Sequence, residues 1–280
     1  MSDEWEWDET LFAGAASYYR RGRLPYASEL ADVLAQMLEL DGRGRLVDVG
    51  CGPGTLALGL AHLFREVVGV DPDGGMIAEA TRDAAAQGVA GKTSWVQARA
   101  EELPGGLETF DIATFGQSFH WMDRDRVAVA IRDMLRPGGA LVHVTDLSSP
   151  SPAKGELPYP GVPDAALGAL VKRWLGPVRR AGQGVLPDGT RGGEAEVYRR
   201  AGFFGPEHRV IAGGQALERT VDDVVAGVFS KSFSAPHLFG DQRDAFEAEL
   251  RGLLWAASPV GLFSVVHPDT EVFVWWKDPR

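Results

Sequence analysis

The chain has 280 residues, and 45% of them are apolar, enough to build a full core and too many for a globally disordered chain. Lys and Arg number 28 against 39 Asp and Glu, and a net charge of −11 opposes the phosphate contacts that a nucleic-acid partner requires. A single cysteine, Cys51, excludes an internal disulfide and suits a reduced setting.

The acidic start, Met1 to Glu9, lacks the basic-then-apolar profile of a signal peptide, and no apolar run nears the ~20 residues that span a bilayer. A cytoplasmic protein without a membrane partner is therefore expected. Between Pro25 and Leu40, the residues Leu30, Val33, Leu34, Met37 and Leu38 form one stripe of an amphipathic helix, ended by Asp41-Gly-Arg-Gly. Arg45 to Val49 reads as a short buried strand, followed by a glycine turn and a helix over Thr55–Phe64. A second strand covers Glu66–Val70 and a second helix Gly75–Gln87. Strands are expected at Thr93–Gln97, Phe110–Phe115 and Ala140–Thr145, with a helix at Arg126–Leu135. This alternation implies a parallel sheet covered on both faces.

After Asp146 the pattern loosens. The stretch from Ser148 to Gly193 is rich in proline and glycine, is too long for a bare loop, and reads as a lid or substrate-binding insertion with one helix near Ala165–Leu175. Helices at Glu194–Ala201, Val221–Phe229 and Asp241–Leu254 follow, with strands at Glu207–Ile211 and Glu271–Trp276. The expected organisation is a nucleotide-binding core over 1–147, a lid over 148–200, and a completion of the sheet and substrate wall over 201–280.

Val47-Asp-Val-Gly-Cys-Gly-Pro-Gly54 lies between a strand and a helix. Its glycines let the backbone turn sharply and approach a ligand. Asp71 closes the second strand, where a carboxylate accepts both hydroxyl hydrogens of a ribose. Nicotinamide enzymes share both features, so an NAD-dependent oxidoreductase stands as an alternative. So does a binding module without activity.

Three further segments separate these readings: Ala98-Arg-Ala-Glu-Glu-Leu-Pro104, Phe110-Asp-Ile-Ala-Thr-Phe-Gly-Gln-Ser-Phe-His-Trp121 and Leu135-Arg-Pro-Gly-Gly-Ala-Leu141. With the glycine turn, they make the region from Phe12 to Asp146 resemble the class I S-adenosylmethionine-dependent methyltransferases, nearest to the ubiquinone/menaquinone- and trans-aconitate-type enzymes. The resemblance implies an α/β, Rossmann-like fold with a mostly parallel seven-stranded sheet, helices on both faces and a C-terminal substrate-binding lid. It implies S-adenosyl-L-methionine as cofactor and S-adenosyl-L-homocysteine as product. Asp48, Gly50, Cys51, Gly52 and Gly54 would surround the methionine part. Asp71 would hold the ribose, Pro72 and Met76 would pack on adenine, Ala100 and Glu101 would line its edge, and Gln117 would stand beside the cofactor. Many relatives carry aspartate where this chain has Arg99, and arginine has no acceptor to offer the adenine amino group. The segment around Tyr18, Tyr19 and Arg23 resembles the family's entry segment. Tyr18 and Arg23 would touch the cofactor, the arginine at its carboxylate, and Tyr19 the substrate.

Methyl transfer is an in-line displacement, so alignment and water exclusion do most of the work, with a base useful for a protonated acceptor. His120, just past the fourth strand, is the candidate base; the alternative is that it hydrogen-bonds locally and shapes the pocket. Trp121, Asp146, Tyr159 and Trp174 are the expected substrate contacts, though Asp146 could simply cap the chain turn. Cys51 has no activating neighbour, and the scattered histidines lack metal-ligand spacing, so no metal is expected. The acceptor expected is a small polar metabolite taking the methyl on N or O, such as the amine of an aminosugar-type natural product. A carboxyl O-methyltransferase is the alternative, with Arg173, Arg179 and Arg180 as the cationic clamp it would need.

Overall fold

The computed structural model describes residues 8, 10–146, 152–177 and 192–280. A helix α1 (Ala16–Gly22) precedes α2 (Leu30–Met37), whose buried Leu30, Leu34 and Met37 form the stripe read from the sequence. Strand β1 (Arg45–Val49), α3 (Thr55–Leu60), β2 (Glu66–Asp71), α4 (Gly74–Ala86), β3 (Thr93–Gln97), β4 (Phe110–Gly116), α5 (Arg124–Met134) and β5 (Leu135–Asp146) then alternate. The remainder comprises α6 (Asp164–Leu175), α7 (Glu194–Arg200), β6 (Phe204–Ile211), β7 (Ala216–Thr220), α8 (Val221–Phe229), α9 (Arg243–Ala257), β8 (Leu262–Val266) and β9 (Thr270–Trp276).

Seven strands form one sheet in the order β3-β2-β1-β4-β5-β9-β6. The first five run parallel, with Val47 beside Val68 on one side and Ala113 on the other. Only β9 is reversed, pairing antiparallel with both β5 and β6. Side chains alternate between the two faces, as the pleat demands. On β9, Val272, Val274 and Trp276 join a core with Leu34, Leu46 and Leu60, while Trp275 joins the opposite core with Phe110, Phe119 and Ile131. Continuous apolar strands are what a sheet buried on both faces requires.

A separate cap sits on a two-stranded antiparallel sheet of β7 and β8, which the sequence reading missed. Its core joins Leu167 and Leu170 of α6, Val225 and Phe229 of α8, Phe246 and Leu250 of α9, and Phe263 of β8. Thr220 and Asp223 form a reciprocal capping box that starts α8: the Asp223 N–H donates to Thr220 Oγ1 at 3.2 Å, and the Thr220 N–H to Asp223 Oδ2 at 2.8 Å. This cap is thus drawn from both expected C-terminal segments. Conversely, α7, expected in the lid, packs Val197 and Tyr198 into the sheet core. Among the described residues no helix is long and apolar enough to cross a membrane.

Candidate functional site

The turn after β1 is built around left-handed backbone. Gly50 has φ +67°, and its N–H and that of Cys51 both donate to the Val70 carbonyl at the end of β2, at 2.8 and 3.0 Å. A Cβ at Gly50 would stand 2.6 Å from the Cβ of Ser118, so only glycine fits. Gly52, at φ +54°, has nothing within 4 Å of its missing side chain: its bare face opens on the cleft. Asp71 ties the turn down, Oδ2 accepting from the Gly52 N–H at 2.8 Å and Oδ1 from the Asp73 N–H at 2.9 Å. Asp73 in turn caps α4 by accepting from the N–H groups of Gly75 and Met76.

Two adjoining cavities, about 540 and 370 Å³, share Tyr19, Gly50, Gly52, Gly116 and Gln117 as a common wall. They lie at the carboxyl ends of the parallel strands, where open α/β sheets bind ligands. The larger is lined by Asp71, Pro72, Met76, Ala100 and Glu101, all expected there, together with Arg99 and Trp121. Trp121 was expected on the substrate side. Instead it packs edge-on against Phe12, ring centroids 5.4 Å apart, and Phe12 lines the same cavity. The smaller cavity brings together Arg23, Asp48, Cys51 and Asp146 with the cap, which contributes Asp164, Leu167, Arg219, Val224 and Lys231.

Five expected site residues line neither cavity. On α1, consecutive residues point ~100° apart, so while Tyr19 faces the cleft Tyr18 faces the cap. Its hydroxyl takes a hydrogen bond from Arg243 at 2.5 Å, and its ring lies 5.1 Å from that of Phe229. Gly54 packs under Trp95, whose Cη2 would be 2.5 Å from an added Cβ. His120 lies in a short turn over Phe119–Trp121, its ring 4.8 Å from that of Trp121. Burial, helped by His143 and Arg124, pushes its imidazole down to about 4, so it is neutral at pH 7. Tyr159 runs beside β8, its N–H donating to Ser264 Oγ at 3.1 Å. Trp174 belongs to the cap core, edge-on to Phe246, with its indole N–H donating to Glu249 at 2.9 Å.

Arg173 is ion-paired to the same Glu249, and Arg179 and Arg180 lie outside the described residues. Besides Arg23, the cations that line the smaller cavity are Arg219, in β7, and Lys231, just beyond α8. No local pattern marks them. Only the pairing of β7 with β8 carries that end of the cap over the cleft.

The buried carboxylates fit a polar, hydroxyl-rich ligand. Asp48 is 1% exposed; Thr114 donates to its Oδ1 at 2.7 Å, while Oδ2 has no partner. Burial pushes Asp48 up to about 7 and Asp71 up to about 6. An unpartnered buried oxygen is costly, and a ligand donor would relieve it. Asp71 has already given one lone pair from each oxygen to the backbone, leaving the second pair on each for a diol. The bare face of Gly52 leaves room between the two acids. This set fits a nucleoside joined to an amino-acid tail. Cys51 is buried and its thiol is pushed up, so it is no nucleophile. Among the described residues no three metal-ligating side chains cluster.

A methyltransferase domain model matches residues 46–139. The chain is 35% identical over 130 residues to an uncharacterized methyltransferase of Mycobacterium tuberculosis, covering 46% of this chain and 49% of that one. It is 33% identical over 139 residues to malonyl-[acyl-carrier protein] O-methyltransferase of Enterobacter lignolyticus, covering 48% and 51%. The chain thus spans about half the length of the curated relatives it matches. A candidate methyltransferase of Bacillus halodurans shares the fold at a TM-score of 0.52 and 17% identity, over 90% of this chain and 100% of that one. Sheet order, glycine turn and acid-ended second strand agree with the matched model: residues 46–139 are a methyltransferase domain, set in the fold of the class I S-adenosylmethionine-dependent methyltransferases.

Proposed function

We propose that this protein transfers a methyl group from S-adenosyl-L-methionine to a nitrogen or oxygen of a small polar metabolite, with an amine favoured. The observation that carries the reading is Asp71, at the wall of the larger cavity and fixed to the Gly52 and Asp73 N–H groups with lone pairs to spare for a ribose. When bound, the cofactor supplies an already activated methyl group, so the chain's own residues have only to hold, align and dehydrate the reactants. Met76 and Trp121 enclose the adenosine end, Asp48 offers its free oxygen to the amino-acid end, and Arg23 lines the cavity at that end.

Proton removal falls to Asp146 rather than His120, which lines neither cavity. Asp146 ends β5 in the wall of the smaller cavity, with Gln117 Nε2 donating to its Oδ2 at 2.6 Å and Thr270 Oγ1 to its Oδ1 at 3.2 Å. Burial raises its pKa from the ordinary carboxylate value, which suits a group that takes a proton from the acceptor. Gln117 holds its side chain there from a backbone φ of +53°, a conformation a non-glycine residue adopts at a cost. Carboxyl O-methylation is the second reading, favoured by Arg219 and Lys231 on the cavity wall; a carboxylate acceptor needs no base.

Isothermal titration tests the cofactor. S-adenosylhomocysteine is expected to bind and NAD not to; NAD binding alone would move the chain to the oxidoreductases. Incubation with methyl-labelled cofactor and matched amine and carboxylic-acid panels tests the acceptor. Label on the acids only would replace the amine reading with the second one.

A further inference from the structure

Four arginines gather where α1 meets the cap, and their counter-charges separate them. Arg21 pairs with Asp223 at 2.7 Å and Asp222 at 3.3 Å. Arg251 pairs with Asp222 at 2.6 Å and Glu247 at 2.8 Å, and Arg243 with Glu247 at 3.2 Å. Arg219, the one of the four on the cavity wall, has no carboxylate partner among the described residues. Its only acceptors are main-chain carbonyls, those of Arg21 and, at 3.4 Å, Asp223, and both are met by the single nitrogen Nη2. A guanidinium has five N–H donors, so most of the fork is unspent. The group is half-buried; burial lowers its pKa from the ordinary arginine value, while Asp223, which makes no ion pair with it, raises it through the field and Arg21 lowers it.

The opposite wall carries the complementary deficit. Asp146, on the sheet side, is held by an amide and a hydroxyl and by no cationic side chain among the described residues. His267 acts on it only through the field, and Tyr26 and Asp48 line the same wall. Among the described residues, an anion held by no cationic side chain therefore lines the sheet side of this cavity, and a guanidinium held by no carboxylate lines its cap side, where Asp164, Asp223 and Lys231 also stand. Half-buried charges of this kind are costly unless a ligand completes them.

We propose that the acceptor is bipolar, a small molecule with a protonatable amine at one end, docked at Asp146, and a carboxylate or similar anion at the other, docked at Arg219. This rests on the methyltransferase reading and narrows its substrate class. The ammonium gives one proton to Asp146, which passes it to solvent. The freed nitrogen lone pair then forms the N–CH₃ bond as the sulfur–methyl bond breaks, leaving a thioether.

The probes are ω-amino acids with one to five methylenes between amine and carboxylate, each paired with its primary amide. They are titrated into the full chain saturated with S-adenosylhomocysteine. At least one amino acid should bind roughly 10- to 100-fold more tightly than its amide, the range of a charge-assisted hydrogen bond. Arg219→Gln should erase that difference, and Arg219→Lys should restore part of it, with S-adenosylhomocysteine affinity unchanged in both. Were Arg219 only a support for the α1 carbonyls, the Gln variant would weaken acid and amide alike, which overturns the proposal. So does equal binding of acids and amides, or binding of neither by protein that does hold S-adenosylhomocysteine. Failure to bind S-adenosylhomocysteine at all is the separate failure of the methyltransferase reading.

Discussion

Asp71→Asn isolates the contact on which cofactor recognition turns. The carboxylate accepts from Gly52 at 2.8 Å through Oδ2 and from Asp73 at 2.9 Å through Oδ1. Each oxygen then offers its remaining lone pair to one ribose hydroxyl. Asparagine keeps one acceptor oxygen and sets an NH₂ where the other stood, facing a backbone N–H donor and a hydroxyl that needs an acceptor. One charged hydrogen bond is lost and the other becomes neutral. At about 1.5–3 kcal/mol for a charged bond and about 1 for a neutral one, the expected loss is about 2–4 kcal/mol, a factor of roughly 30 to 1000 in Kd. The assay is calorimetric titration with S-adenosylhomocysteine at pH 8, where a carboxyl titrating at about 6 is ionised. Adenine alone, which has no diol, should bind both proteins equally, and matched melting curves guard against misfolding. A change below threefold with S-adenosylhomocysteine would refute the assignment of Asp71 to the ribose.

Because the bound diol needs ionised Asp71 and the amino-acid end ionised Asp48, the Kd for S-adenosylhomocysteine should begin to rise as pH falls through about 7 and rise more steeply below about 6; Asp71→Asn should remove the steeper part and leave the part due to Asp48. Raised carboxyl pKa values also mean that the native protein keeps protons the unfolded chain has lost. Asp48, up to about 7, therefore lowers stability as pH climbs from about 4 to 7, and Asp48→Asn should flatten that part of the melting-temperature profile. With an accepted amine, Asp146→Asn should cut kcat by about 100-fold or more while S-adenosylhomocysteine affinity holds, whereas His120→Gln should stay within about threefold; the reverse pattern would return the base to His120. Gly50→Ala should cost about 2–4 kcal/mol in urea unfolding, from positive φ and the 2.6 Å clash with Ser118. Gly52→Ala, whose Cβ meets open space, should cost only about 1 kcal/mol of stability yet weaken S-adenosylhomocysteine binding far more, because the methyl group fills the ligand's room.

The cofactor half of the site was legible because its parts are local. A turn needing glycine at Gly50 and Gly52, and an acid one residue past an apolar strand at Asp71, are encoded within short windows, and parallel strands bring those windows together at one sheet edge. Short buried runs and the period-3.6 pattern likewise gave β1 to β5 and α2 to α5, with β5 beginning five residues before the expected Ala140 and α3 ending early in a short 3₁₀ turn over Ala61–Leu63. Within the same region, residue type alone misread which way a side chain turns. Tyr18 and Tyr19 are chemically alike, and the face of α1 that meets α8 decides which reaches the cleft. His120 follows the fourth strand as expected, but burial of Phe119 beside it holds the turn so that the imidazole lines neither cavity.

The substrate half was not legible, since it comes from long-range pairing. The strands β7 and β8 lie more than forty residues apart in sequence and are five residues each; β7 exposes the polar Glu218, and β8, though apolar, is too short to stand out as a strand. Their pairing carries Arg219 to the cavity that Asp146 also lines. Sequence spacing fixes the chemistry of a site when neighbours in the chain are neighbours in space. Where a cavity wall is assembled from segments that meet only through a shared core, packing chooses which charges face each other.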